Sequence, residues 1–183
     1  PDSAEAGWSV IDQVKLAGLN VASLLLGGSR TPTGDGTAIA TVSDELKIAN
    51  GGQASPGQAL GAPELLLTAG DRLTVTAGSA LTASGTSTPR ALTLDGDGAF
   101  LRVAAGDQAP VRRSGTLSRT RGALDLEADT TVAGQSVVVD ATGTTRLDGT
   151  LSPGRLQDDG HRRGGALTIG AGAIRVVGAA EAA

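Results

Sequence analysis

The stretch LLLTAGDRLTVTAGSALTASG, Leu65 to Gly85, sets three short apolar-alternating runs in line, with little more than small residues between them and one Asp-Arg pair for charge. With a period of two, Leu65, Leu67 and Ala69 share one face; Leu73, Val75 and Ala77 repeat it, and Leu81 and Ala83 repeat it again. Thr68, Thr74, Thr76, Thr82 and Ser84 take the other face. A helix would have to absorb Gly70 and Gly78 at about 1 kcal/mol each, whereas glycine at a strand end supplies the positive φ of a sharp corner. The stretch predicts three strands, each turning abruptly into the next.

The interior such strands enclose is narrow. Trp8 and Phe100 are the only aromatic residues in 183, and Met and Cys are absent. A chain filling its core with Leu, Val, Ile and Ala points to a regular, layered interior rather than an irregular globular one. Without Cys there are no disulfides or thiol-based metal and redox sites, which is compatible with export through an oxidising compartment. A net charge of −4 with dispersed Asp and Arg speaks against nucleic-acid binding. The longest apolar runs, such as Val21 to Leu26, fall far short of the roughly 20 residues of a transmembrane helix. Neither PDSAEAGWSV nor GAAEAA reads as a natural domain end, so the chain reads as one interior segment, 1–183, of something longer.

The motif recurs. ALTLDGDGAFLRVAAGD (Ala91 to Asp107), ALDLEADTTVAGQSVVVDATG (Ala123 to Gly143) and ALTIGAGAIRVVG (Ala166 to Gly178) each pair an A-L-polar-apolar strand with a second strand beyond a corner. The pairs are Leu92/Leu94 with Leu101/Val103, Leu124/Leu126 with Val137/Val139, and Leu167/Ile169 with Ile174/Val176. Spacing is unequal because 108–122 and 152–165 read as loop insertions, which a solenoid tolerates because each coil touches only its neighbours. Residues 1–20 read as an irregular start, and only Ala4 to Leu19 and Ser43 to Ala49 could form a turn or two of helix. The expectation is an all-β, right-handed parallel β-helix of roughly seven irregular coils, about 25 residues each and about 4.8 Å apart. Cut between coils, it would expose unpaired strand edges at both ends and self-associate.

The segments ASLLLGGSRTPTGDGTAIATVSDELKIANG (Ala22 to Gly51) and LGAPELLLTAGDRLTVTAGSALTASG (Leu60 to Gly85) resemble the interior of filamentous-haemagglutinin-type large exoproteins, most specifically at Leu24 to Arg30 and Ala62 to Gly70. The resemblance implies a shaft segment of a secreted or surface-exposed bacterial adhesin, outer-membrane associated and exported by two-partner secretion. The transporter would be engaged by regions outside this segment. The alternatives are a glycan-binding or glycan-degrading β-helix enzyme and the shaft of a contact-dependent toxin.

A glycan-cleaving β-helix would need carboxylates about 5–9.5 Å apart, or an Arg base with acidic Ca²⁺ ligands. Asp125 with Glu127, and Asp95 with Asp97, are the candidates; alternation already explains the first pair as outward charges, and DGDG explains the second as a turn. DGDG also lacks the spacing of an EF-hand or a calcium-binding β-roll. His161, flanked by Asp158 and Asp159, lacks a nucleophile and reads as an exposed loop residue. Phosphate-loop, nucleophile-elbow and dinucleotide motifs are missing. Thr74 and Thr76 suggest an ice-binding row, yet the matching outward positions carry Arg102, Asp125 with Glu127, and Arg175. The expectation is a non-enzyme without metal or cofactor.

One charge anomaly remains. VRRSGTLSRTRG, Val111 to Gly122, carries Arg112, Arg113, Arg119 and Arg121 with no intervening acid. Guanidinium groups pair sulfate and carboxylate bidentately, so these four are the candidate contact for anionic host or matrix glycans, against the plainer reading of a solvated corner.

Overall fold

The structure is a computed structural model, and it describes residues 7–17, 19–51, 59–156 and 162–174. Among these described residues the protein is all-β, with 56% in strands and 3% in helix. Helix α1 (Gln13–Ala17) precedes β1 (Leu24–Leu26), the hairpin β2 (Gly28–Thr33) and β3 (Gly36–Thr41), then β4 (Glu45–Ile48) and β5 (Leu60–Ala62). The opening motif forms β6 (Glu64–Ala69), β7 (Arg72–Val75) and β8 (Ala80–Ala83), three strands with corners at Gly70 and Thr76–Ser79. Next come β9 (Leu92–Asp95), β10 (Ala99–Ala104), β11 (Val111–Ser114), β12 (Ala123–Leu126) and β13 (Thr131–Gly134). The last strands are β14 (Ser136–Leu147), β15 (Thr150–Leu156), β16 (Arg162–Gly164) and β17 (Ala166–Ile174).

These strands stack in three rows. One row is β4, β7, β12 and the end of β14, and another is β5, β8, β13 and β15; both are parallel throughout. The remaining row, β1, β6, β10, the start of β14, and β17, is mixed, because β10 runs antiparallel to both β6 and β14. The long strand β14 bends from this row into the first, making one eight-stranded sheet that curls into a nearly closed, barrel-like shape. Registers match from rank to rank: Leu65, Val103, Val137 and Leu167 align, as do Leu67, Leu101, Val139 and Ile169. The β6, β10 and β14 members of these ladders, with Leu73, Val75, Leu81, Leu124, Leu126 and Val132, fill one aliphatic interior, while Leu167 and Ile169 at the end of the stack are exposed.

Corners stack as well. Gly70 N–H donates to Ser43 O at 2.9 Å, Ala123 N–H to Asp71 O at 2.8 Å, and Gly143 N–H to Gly122 O at 3.1 Å. At the next corner Thr131 N–H reaches Ser79 O and Thr150 N–H reaches Thr130 O. Gly149 is required there, since a Cβ would lie 1.7 Å from Thr130 Oγ1.

A second layer departs from the expected uniform coils. Strands β2, β3, β9 and β11 form a separate four-stranded sheet that packs Ile39, Leu92, Leu94 and Val111 onto Leu25, Leu66 and Phe100 of the mixed row. Among the described residues fewer ranks than the anticipated seven therefore form: the sheet of β5 has five strands, four of them stacked in parallel and the last, β16, antiparallel to β15. Parallel stacking fails in the mixed row because the chain makes three passes between β8 and β12, and only the middle, reversed one lies in that row: β9 and β11 run in the outer sheet and β10 returns beneath them, antiparallel to β6 and β14. Gly27, at φ +83°, lets the chain leave for the outer layer, and a Cβ there would lie 1.9 Å from Thr68 O.

Several expected facings and elements change accordingly. Thr68 and Arg102, assigned to water, are buried between the layers. Ser43 to Ala49 contains β4, not helix, because Leu46 and Ile48 continue the ladder of Leu73 and Val75. The 108–122 insertion contains β11, paired with β9, and the 152–165 insertion contains the end of β15 and β16. In the irregular start, α1 is the helical turn.

Candidate functional site

The arginine-bearing segment is the last pass of the excursion and its return loop. It packs on the DGDG turn, where Gly96 and Gly98 take φ +67° and +155° and reverse the chain between β9 and β10. Arg113 faces inward from β11 and ties this turn to β14. Its Nη1 and Nη2 donate to Gly96 O (2.8 Å) and Gly98 O (2.7 Å), and its Nε donates to Asp140 Oδ1 at 2.5 Å. Asp97 organises the return loop: its carboxylate accepts from the Ser118 hydroxyl, from Ser118 N–H at 3.0 Å and from Arg119 N–H at 3.3 Å. The Ser118 hydroxyl bond is the main cause holding the Asp97 carboxyl below its ordinary pKa. Arg119 sits at φ +59°, so its backbone is set by these bonds.

Arg121 closes the loop by bridging two earlier ranks. Its Nε donates to Asp71 Oδ1 (2.5 Å) and its Nη2 to Asp44 Oδ1 (3.2 Å), bridging two carboxylates stacked at one corner. The Asp71 bond holds its guanidinium more firmly protonated than usual. Arg112 projects outward from β11 at the position paired with Thr93. Neither Arg112 nor Arg119 forms an ion pair among the described residues. The four candidate arginines thus divide: Arg113 and Arg121 hold the fold together, while Arg112 and Arg119 are exposed and uncommitted.

The weighed carboxylates are likewise engaged. Asp125 pairs with Arg72, Glu127 Oε2 accepts Ala77 N–H at 2.9 Å, and Asp95 Oδ1 accepts the Ser114 hydroxyl at 3.4 Å. Thr76 belongs to a corner rather than an outward row, donating its hydroxyl to Ile48 O at 3.1 Å. His161, Asp158, Asp159 and Arg175 lie outside the described residues.

Sequence reasoning missed the most deeply buried charge. Arg102 has no exposed surface, and its Nε and Nη2 both donate to Glu64 Oε1, at 2.9 and 2.6 Å. Arg90 O, Ala109 O and Gln108 Oε1 complete its shell, and Ser23 donates to the second Glu64 oxygen at 2.6 Å. Burial pushes Arg102 below its usual pKa, opposed by the charge of Glu64. The available signal was loss of alternation in ELLL and AFLRV, a sign of strands covered on both faces. A cleft of about 660 Å³ lies at the far end of the molecule from β17, between residues 7–16 and β4, walled by Trp8, Ile11, Leu16, Leu46 and Lys47. No family model matches the chain, and no curated protein or solved structure matches it.

Proposed function

We propose that this chain is a shaft segment of a secreted, surface-exposed bacterial adhesin, a right-handed parallel β-helix modified along one side by the outer sheet. The observation that carries this reading is the alignment of interior ladders and corner bonds from rank to rank. Such stacking makes stability a sum of neighbour contacts and gives a rod that lengthens by repetition. The resemblance at Leu24 to Arg30 and Ala62 to Gly70 supplies the export route, two-partner secretion through an outer-membrane transporter engaged by other regions. The structural engagement of Asp125 and Glu127 favours this reading over a glycan-cleaving enzyme. The shaft of a contact-dependent toxin would share this mechanics.

Antibodies against the outer sheet, around Arg112 and Thr93, should label intact bacteria producing the protein, and external protease should remove the label. Labelling only after cell lysis would overturn the surface assignment. A second reading rests on Arg112 and Arg119: two guanidinium groups without a carboxylate partner, offered to anionic host or matrix glycans.

A further inference from the structure

We propose that Asn50–Gly51 is a deamidation site held shut by the fold, so that its conversion to aspartate or isoaspartate marks chains in which the corner between β4 and β8 has opened. Asn20 and Asn50 are the only asparagines of the chain, and of the two only Asn50 precedes a glycine. Packing demands that glycine: Gly51 lies against the next rank, where a Cβ would meet Gly78 C at 2.3 Å and Ser79 N at 2.7 Å. Glycine is also the residue whose missing Cβ leaves its nitrogen least hindered in reaching a preceding carboxamide.

The Asn50 side chain is committed to the same corner. Its carboxamide stands in for a peptide group of the ladder: Oδ1 accepts Ala80 N–H at 2.9 Å and Nδ2 donates to Ala80 O at 2.8 Å, while the Asn50 N–H donates to Ser79 Oγ at 3.1 Å. At the later ranks of this corner the backbone makes the link, Thr131 N–H reaching Ser79 O and Thr150 N–H reaching Thr130 O. One carboxamide therefore ties the residues after β4 to the start of β8.

In the reaction the Gly51 nitrogen, having lost its proton to solvent base, attacks Asn50 Cγ. The Cγ–Nδ2 bond breaks, ammonia departs after taking a proton from water, and the cyclic succinimide that remains is opened by water to aspartate or isoaspartate. Attack requires the carboxamide to turn its face to the Gly51 nitrogen, and a group pinned to Ala80 through both its oxygen and its nitrogen does not turn. That bridge is the barrier, because among the described residues no acceptor holds the Gly51 N–H. At the Asp-Gly pairs of the DGDG turn the nitrogens themselves are held, Gly96 N–H by Ser114 O at 3.0 Å and Gly98 N–H by Thr142 Oγ1 at 2.9 Å. Either product removes the bridge: a carboxylate has no donor for Ala80 O, and isoaspartate also lengthens the main chain where Gly51 meets Gly78.

The test is peptide mapping by mass spectrometry after incubating the 183-residue chain at mildly alkaline pH with and without urea. Asn50 should convert in urea, and about tenfold or more slowly in the folded chain, where reaction waits for local opening. Gly51→Ala should slow conversion in urea, where its clash with Gly78 has no bearing. Asn50→Asp, which makes one product in advance, should lower the melting temperature and speed hydrogen exchange at Ala80 and Leu81. Absence of conversion in urea, or equal rates in the folded and unfolded chain, would overturn the proposal. So would conversion in urea that is indifferent to Gly51→Ala, or an Asn50→Asp chain as stable as the parent.

Discussion

Arg102 and Glu64 show how much one side chain can determine in a thin layered protein. A guanidinium with no exposed surface is tolerable only when its donors are met, and here a carboxylate, two carbonyls and an amide oxygen meet them. The pair joins neighbouring strands of the mixed row, and Gln108 passes the connection to Ser87 at 2.9 Å, so the loop before β9 and the loop between β10 and β11 are tied to one charge. Removing one partner leaves the other buried and unpaired, which costs about 3–5 kcal/mol; replacing both with apolar residues removes that penalty. Arg102→Ala should therefore lower unfolding free energy by about that amount in urea titrations. Arg102→Met combined with Glu64→Leu should recover at least half of the loss. A single variant costing less than about 1 kcal/mol would show that the pair carries no such weight.

The outer sheet depends on a small apolar contact at the scale of elements. Phe100 is fully buried between Leu66, Ile39, Leu92 and Leu94, so Phe100→Ala opens a cavity between the layers and should cost about 3–5 kcal/mol. Hydrogen exchange should then rise in β3, β9 and β11 while β7 and β12, in the parallel row, stay protected; uniform acceleration would show that the layers unfold as one unit. This contact also marks where the sequence stopped being legible. Strands β6, β7 and β8 were readable because alternation and glycine corners act locally. Leu92/Leu94 and Leu124/Leu126 looked equivalent, yet the first pair belongs to the outer sheet and the second to the interior. Period-two patterning gives a side chain's parity and is silent on which sheet the strand joins. The arginines failed for a related reason: the acids that claim Arg113 and Arg121 are Asp140, Asp71 and Asp44, all distant in sequence, so nothing within VRRSGTLSRTRG separates the structural pair from the exposed one.

At the scale of the whole molecule the charge balance decides how any anionic glycan could be held. The net charge is −4, so long-range attraction toward a polyanion is absent and retention has to arise from local guanidinium contacts. Such contacts are weak singly, screened by salt over a distance of about 8–10 Å, and effective only when many copies act together along a filament or a coated surface. Beads densely coated with the chain should be retained on an immobilised sulfated glycan at low salt and released as salt approaches physiological strength. Arg112→Ser with Arg119→Ser should abolish retention while leaving the melting temperature unchanged, because neither side chain pairs within the fold. Arg113→Ser with Arg121→Ser should lower the melting temperature, since it leaves Asp140, Asp71 and Asp44 without their cation, yet should leave retention intact on beads kept below that temperature. Equal retention by the Arg112/Arg119 variant and the parent chain would remove the loop as a binding surface and leave the shaft with a purely mechanical role.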